Sequence, residues 1–266
     1  MKKEATIFLT AIMFLTRLPV PKNIDHSATY LQKSPKYFPF VGSIVALLSI
    51  IPFVLLHKFI ATDIAIIAMM ITSILTTGCF HEDGFADTCD AFGGGWTKEK
   101  ILAIMKDSRL GTYGVAGLVL MLATKFLVLK VLITFLSFTQ NTEIQLYILF
   151  IAIVMAAHSS SRLMSVLIIQ SQQYVTADDG SKSKPLASKK LNATELLVAI
   201  FFALFPCIML PLGSLFALPA MLIATYLMAN YFNKWIGGYT GDCLGTVQQV
   251  TEIVFYFSIL IVWKFI

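Results

Sequence analysis

The sequence predicts an all-α, polytopic helical integral membrane protein, and three observations carry that expectation. Of its 266 residues, 57% are hydrophobic and only 13% are charged, against about 25% charge in an ordinary soluble domain. Its mean hydropathy is +0.79. Its apolar residues gather in runs close to the roughly 20 that a bilayer-crossing helix needs. About seven transmembrane helices fit, together with an amino-terminal re-entrant or interfacial helix. Residues 1–266 then form a single integral membrane domain, with no length left for a soluble one.

In chain order, the first apolar stretch, Ala5 to Phe14, follows Lys2 and Lys3 and runs into Arg17-Leu18-Pro19-Val20-Pro21. No small-residue cleavage site follows it, so it reads as a retained segment rather than a secretory signal. Arg17 and the two prolines favour a re-entrant or interfacial helix over a span. The predicted spans are Phe38 to Leu56, Ile60 to Phe80, Tyr113 to Phe138, Gln145 to Ile169, Ala193 to Leu210, Leu215 to Phe232 and Val250 to Ile266. Pro52 and Pro206 fall inside them as kinks, which membrane helices tolerate because neighbouring groups satisfy the freed backbone. The Asp178 to Lys190 segment reads as a flexible polar loop.

Charge orders these spans across the bilayer. One set of loops holds Lys22, Lys33 and Lys36, then Lys98, Lys100, Lys106 and Arg109, then Lys182, Lys184, Lys189 and Lys190, then Lys234; the alternate set holds only Lys58 and Lys264. Twelve cations against two assign the first set to the cytoplasm, predicting a multi-pass protein of the cytoplasmic (inner) membrane. The net charge of +5 is explained by this topology, so no nucleic acid is expected as a partner; the bilayer is, and a homo-oligomer is left open. Cys79, Cys89, Cys207 and Cys243 lack zinc or CxxC spacing and read as free core thiols.

The same topology puts two acidic and glycine-bearing loops, 81–111 and 233–249, on one cytoplasmic face. The first begins His81-Glu82-Asp83-Gly84-Phe85-Ala86-Asp87-Thr88-Cys89-Asp90. If helical, it sets Asp83, Asp87 and Asp90 at i, i+4 and i+7 on one side. Carboxylates so close ask for a hard cation, and Mg²⁺ suits oxygen ligands that substrate phosphates complete. A solvated acidic helix start is the plain alternative. Gly93-Gly94-Gly95 is either a phosphate-cradling loop or a linker. Lys106 and Arg109, with the acid Asp107 between them, offer two cations to a diphosphate or anchor the next span. Gly237 to Glu252 carries four glycines, with Asp242 and Glu252 as further candidate ligands, or is a turn capped by Thr240 or Asp242. Arg162 within a span asks for an anionic partner. Lys125, also within a span, either snorkels or pairs, and His158 reads as a hydrogen-bonded packing residue.

Taken together, Thr16 to Pro19, Phe38 to Gly42, Glu82 to Gly95, Met105 to Gly114 and Gly238 to Glu252 resemble the cobalamin synthases, also called adenosylcobinamide-GDP ribazoletransferases, over essentially the whole chain. The resemblance implies a Mg²⁺-dependent enzyme joining adenosylcobinamide-GDP to α-ribazole or α-ribazole 5′-phosphate, releasing GMP and forming adenosylcobalamin or its 5′-phosphate. The family's acidic motif falls on Glu82, Asp83, Asp87 and Asp90, expected as metal ligands and, with Asp242, as catalytic groups. Lys106, Asp107, Arg109, Arg162, Thr240, Gln248 and Glu252 are the expected substrate-binding residues.

Other classes fit less well. An intramembrane prenyltransferase can use Asp83 to Asp87 as DxxxD, but Asp242 has no acidic companion before Glu252. CDP-alcohol phosphotransferases need a later Asp-x₃-Asp that is absent. A cation transporter places its acids near mid-span, whereas these sit at the boundaries.

Overall fold

The computed structural model describes residues 2–21, 27–175 and 189–265, and among them it is helical without a strand. The helices are α1 (Lys2–Leu15), α2 (Ala28–Lys33), α3 (Phe38–His57), α4 (Thr62–Thr77), α5 (Phe80–Gly94), α6 (Lys98–Met105), α7 (Thr112–Thr139), α8 (Glu143–Ser171), α9 (Ala193–Leu204), α10 (Ala217–Ile236) and α11 (Gly241–Phe265). Lys22, Lys182 and Lys184 of the charge tally, and most of the polar loop, lie outside the described residues.

Among the described residues, five stretches are long and apolar enough to cross a membrane: 28–57, 112–139, 143–171, 212–236 and 241–264. The α4–α5 pair makes a sixth if counted as one bent span. The expected count of about seven is therefore not confirmed, for two reasons. The segment Ala193–Met209 is a shorter apolar helix, closed by a 3₁₀ turn where Pro206 removes a backbone donor. The run predicted as Ile60 to Phe80 stops at Thr77, because Gly78 and Cys79 both take positive φ, 66° and 62°. At Gly78 the left-handed conformation is free of Cβ strain, and α5 leaves the corner at 87° to α4. The acidic segment is thus a helix rather than a loop. Likewise the last span starts at Gly241, not Val250, so half of the second expected loop is its first turns.

α1 has 14 residues, too few to cross a bilayer. It lies against the start of α3 through Phe8–Phe40 and Phe14–Phe38 ring contacts. Outward-facing Leu47, Ile51 and Leu55 on α3 and Ile64, Ile67, Ile71 and Leu75 on α4 recur at helical spacing, the pattern of a lipid-facing surface. Inside, α8 is the axis, buried from Ala156 to Val166, with α3 and α11 packed on it.

Cross-element contacts define two ends. At one, Lys130 meets Asp63 at 2.7 Å, His57 meets Tyr147 at 3.0 Å and Trp263 donates to Ser214. At the other, Lys36 meets Glu4 at 2.7 Å, Lys33 meets Glu195 at 3.4 Å, and Val175 N–H donates to the Tyr239 carbonyl. The second end gathers the corner, α6, and the starts of α7 and α11.

Candidate active site

α5 and α11 meet along a glycine seam at that second end. A Cβ on Gly84 would stand 3.0 Å from the Asp242 Cα, and one on Gly245 would stand 3.0 Å from the His81 carbonyl oxygen. Thr246 Oγ1 donates across the seam to the Gly84 carbonyl at 3.3 Å. Without side chains to separate them, the two backbones close up, and Asp242 comes beside the acidic face of α5.

The expected acidic residues divide on inspection. Asp83 is exposed and Asp87 half-buried, and both line a cavity with an empty volume of about 610 Å³ beneath Ser108 and Leu110. Glu82 lines the same cavity, 7% exposed, with Oε1 accepting from Gln249 at 2.9 Å and Oε2 buried without a hydrogen-bond partner. Asp90 is different. Its carboxylate accepts N–H groups from Gly111 at 2.7 Å and Gly114 at 2.8 Å, so it tethers the start of α7. No three His, Cys, Asp or Glu residues converge as a ready metal cage among the described residues. The four-carboxylate set is therefore not one preassembled site.

The remaining expected substrate contacts also separate. Arg109 is exposed and folds back on Asp107, its Nε 2.9 Å from Oδ1. That hydrogen bond, with the Arg109 backbone N–H, holds the Asp107 carboxyl at about 2. Lys106 is exposed at the end of α6. Thr240 caps α11, accepting from Cys243 N–H at 3.3 Å while its hydroxyl faces Asp242 Oδ2 at 3.3 Å; the capping alternative holds for it. Gly93 and Gly95 pack against Tyr113 and Ile101, joining α5 to its neighbours rather than forming an open phosphate loop.

Gln248 and Glu252 lie in the bundle, each 1% exposed. Glu252 receives Lys125 at 3.1 Å, Gln248 at 2.7 Å and His158 at 3.3 Å. Lys125 also donates to Gln249 Oε1 at 2.9 Å, and Gln249 passes the contact to Glu82. Glu252, Lys125 and His158 line a second, inner cavity with an empty volume of about 330 Å³ that Glu82 shares. Glu82 is thus the link between the open acidic cavity and a buried polar network. Arg162 lines neither; it faces a third pocket on the opposite side of α5, beside His81.

Such an array, carboxylates facing one cavity whose lining includes Ser108 of the Lys106–Arg109 segment, suits transfer of a phosphate-bearing group. The family comparison decides the class: a model described as cobalamin-5-phosphate synthase matches residues 7–260. The chain belongs to that family.

Cobalamin-5-phosphate synthase relatives are similar over nearly full length. A protein of Leptospira interrogans is 40% identical across 99% of this chain and 98% of its own. One of Shewanella baltica strain OS155 is 42% identical over 98% and 95%, and one of Shewanella piezotolerans 40% over 98% and 97%. All three are named adenosylcobinamide-GDP ribazoletransferase. No solved structure matches. In this family member, sequence reasoning passed over Gln249 and Tyr256, which sit at helical spacing around Glu252 and carry no charge to mark them. It left Lys125 undecided, and the structure shows it paired. Arg17, read from sequence only as a reason against a first span, is exposed and laid against Gly78 at the α4–α5 corner.

Proposed function

We propose that this protein transfers the adenosylcobinamide phosphate of adenosylcobinamide-GDP to α-ribazole or its 5′-phosphate, at a Mg²⁺-dependent site opening on the cytoplasmic face of the inner membrane. The observation that carries this is the acidic cavity: Asp83, Asp87 and the unpartnered Glu82 Oε2 face one space, with Asp242 held alongside by the glycine seam. An all-oxygen donor set with too few protein ligands for a closed cage fits Mg²⁺, which keeps positions for water and substrate phosphate. Asp83 and Asp87 would hold it, with Asp242 in support. When bound, it supplies charge neutralisation at the diphosphate.

The chain's own groups do the rest. Lys106 and Arg109, flanking the cavity-lining Ser108 in sequence, meet the diphosphate, which the cluster of anionic carboxylates alone would repel. Glu82 is oriented through Gln249 and takes the proton of the attacking ribose hydroxyl on Oε2. The new bond runs from the ribose oxygen to the phosphorus attached to cobinamide. The bond broken is from that phosphorus to the bridging oxygen, which leaves with GMP. The twelve-to-two distribution of Lys and Arg supports the cytoplasmic orientation. The test is incubation of purified protein in nanodiscs with adenosylcobinamide-GDP, α-ribazole and Mg²⁺. GMP and a cobamide appearing together is the expected result; verified substrates with no product remove the reading.

A further inference from the structure

Two buried charges, Lys125 on α7 and Glu252 on α11, take no part in the transfer itself. A buried ion pair often stabilises a bundle no better than apolar side chains of the same volume. An ionisable group within a span is costly enough to call for a use. Glu252 is fully provided for. Lys125 and His158 stand 3.1 and 3.3 Å from its Oε1, Tyr256 donates to the same oxygen at 3.4 Å, and Gln248 donates to Oε2 at 2.7 Å. The carboxylate therefore anchors Lys125, whose use is to be sought in its other contact.

That contact is Gln249, 2% exposed, whose Oε1 accepts from Lys125 Nζ at 2.9 Å while its Nε2 donates to Glu82 Oε1 at 2.9 Å. A carboxamide has nearly the same shape either way round, so its neighbours decide which end points where. An ammonium carries donors only. Turned over, the Gln249 amide would set N–H against N–H at Lys125 and oxygen against oxygen at Glu82. Lys125 forbids that orientation and leaves Nε2 for Glu82. The hydrogen bond then occupies Glu82 Oε1, so that Oε2, buried and without a partner among the described residues, is the oxygen left free. Gln249 and Glu252 stand at i and i+3 on α11 and share a face, which lets one lysine reach both.

We propose that Lys125 is a positioning residue for the reaction: held by Glu252, it fixes the polarity of the Gln249 amide and, through it, which oxygen of Glu82 is presented to the acidic cavity. The inference rests on the reading of Glu82 as the base of the transferase. Lys125 and Glu252 line the inner cavity and not the acidic one. Their influence on the reaction therefore runs from α7 through α11 to α5, without contact with substrate. Its loss should appear in kcat and leave KM in place.

The test uses the full chain in nanodiscs, with GMP release from adenosylcobinamide-GDP and α-ribazole followed alongside thermal unfolding. K125M/E252Q removes both charges, so a stable double variant separates positioning from mere support. It is expected to lower kcat about 10- to 100-fold, less than the loss of a base altogether, with both KM values unchanged. Gln249→Met should show the same deficit, and the triple variant no more than either, because all act through one hydrogen bond. Lys125→Arg, another donor-only cation, is expected to regain most of the lost kcat. A stable K125M/E252Q with the kcat of the unaltered protein overturns the proposal, as does an additive loss in the triple variant. Should K125M/E252Q fail to fold, K125R and Q249M decide: a folded K125R as slow as Q249M overturns it. If the unaltered protein releases no GMP from verified substrates, the transferase reading falls. Hydrogen exchange of the Gln249 side-chain amide, assigned with Q249M in glutamine-¹⁵N-labelled protein, then decides the positioning contact separately. Slow exchange that is lost in K125M/E252Q keeps the contact, and equal exchange in the two proteins removes it.

Discussion

Lys125→Met is expected to destabilise the bundle strongly, and Glu252→Gln in the same chain is expected to restore most of the loss. Lys125 Nζ lies 3.1 Å from Glu252 Oε1 and 2.9 Å from Gln249 Oε1, and the residues are 7% and 1% exposed. Removing the ammonium leaves a buried carboxylate supported by Gln248 and Tyr256, which are neutral, and by His158. Breaking a buried pair from one side costs about 3–5 kcal/mol, whereas replacing both charges by neutral groups of similar volume is often nearly neutral. At roughly 2–4 °C per kcal/mol for a chain of about this size, K125M should melt roughly 10 °C lower, with K125M/E252Q recovering more than half of that. Thermal unfolding of the four proteins in one lipid composition gives the coupling, expected at about 2 kcal/mol or more. A cycle in which the two changes simply add, or a K125M protein that melts like the wild type, would refute the idea that Lys125 compensates Glu252.

Other outcomes follow from the same contacts. Asp83→Asn and Asp87→Asn should each lower Mg²⁺-dependent GMP release by about a hundredfold or more without lowering the melting temperature, since each change relieves repulsion between neighbouring carboxylates; a matching loss of stability counts against the assignment. Asp90→Ala should do the reverse first, destabilising by a few kcal/mol as one buried and one part-buried N–H group lose a charged acceptor, with faster amide exchange at Gly111 and Gly114 as the marker. Gly245→Val should force α11 off α5, abolishing activity in protein that still inserts; wild-type turnover in that variant contradicts the seam. Glu4, hydrogen-bonded to Lys36, has its carboxyl held below the usual 4.5. Because the folded value is the lower one, its contribution is complete above about 4.5 and is lost as pH falls through the folded value, so α1 amide protection should drop on acidification, and Glu4→Gln should remove that dependence.

The fold class was legible because apolar run length is a direct readout of bilayer thickness, and α3, α7 and α8 fall close to the spans read from sequence. The α4–α5 corner was not. Its cause is two consecutive positive φ angles at Gly78 and Cys79, and nothing in the hydropathy of the Ile60 to Phe80 run announces a bend. The acidic motif was legible as chemistry, since four carboxylates in nine residues are conspicuous, but its division of labour was not. Asp90 differs from Asp87 only in what Gly111 and Gly114 place opposite it, which is a tertiary fact. Gln248 and Glu252 were drawn into the site by their nearness to Asp242 in sequence. One and a half turns of helix or more carry them into the bundle instead, where they serve Lys125 and His158.

The glycine seam has a consequence for how such a chain can diverge. Asp83 and Asp242 are separated by more than half of the sequence, yet the seam makes their spacing a property of two helix surfaces pressed together. Everything between, including the loops that join α6 through α10, can lengthen or shorten without altering that spacing. A single residue inserted between Cys79 and Asp87, or between Gly241 and Gly245, rotates one surface by about 100° and dismantles it. Tolerance to insertion should therefore be sharply uneven along the chain, with two short intolerant windows far apart in sequence, behaving as a single unit of inheritance.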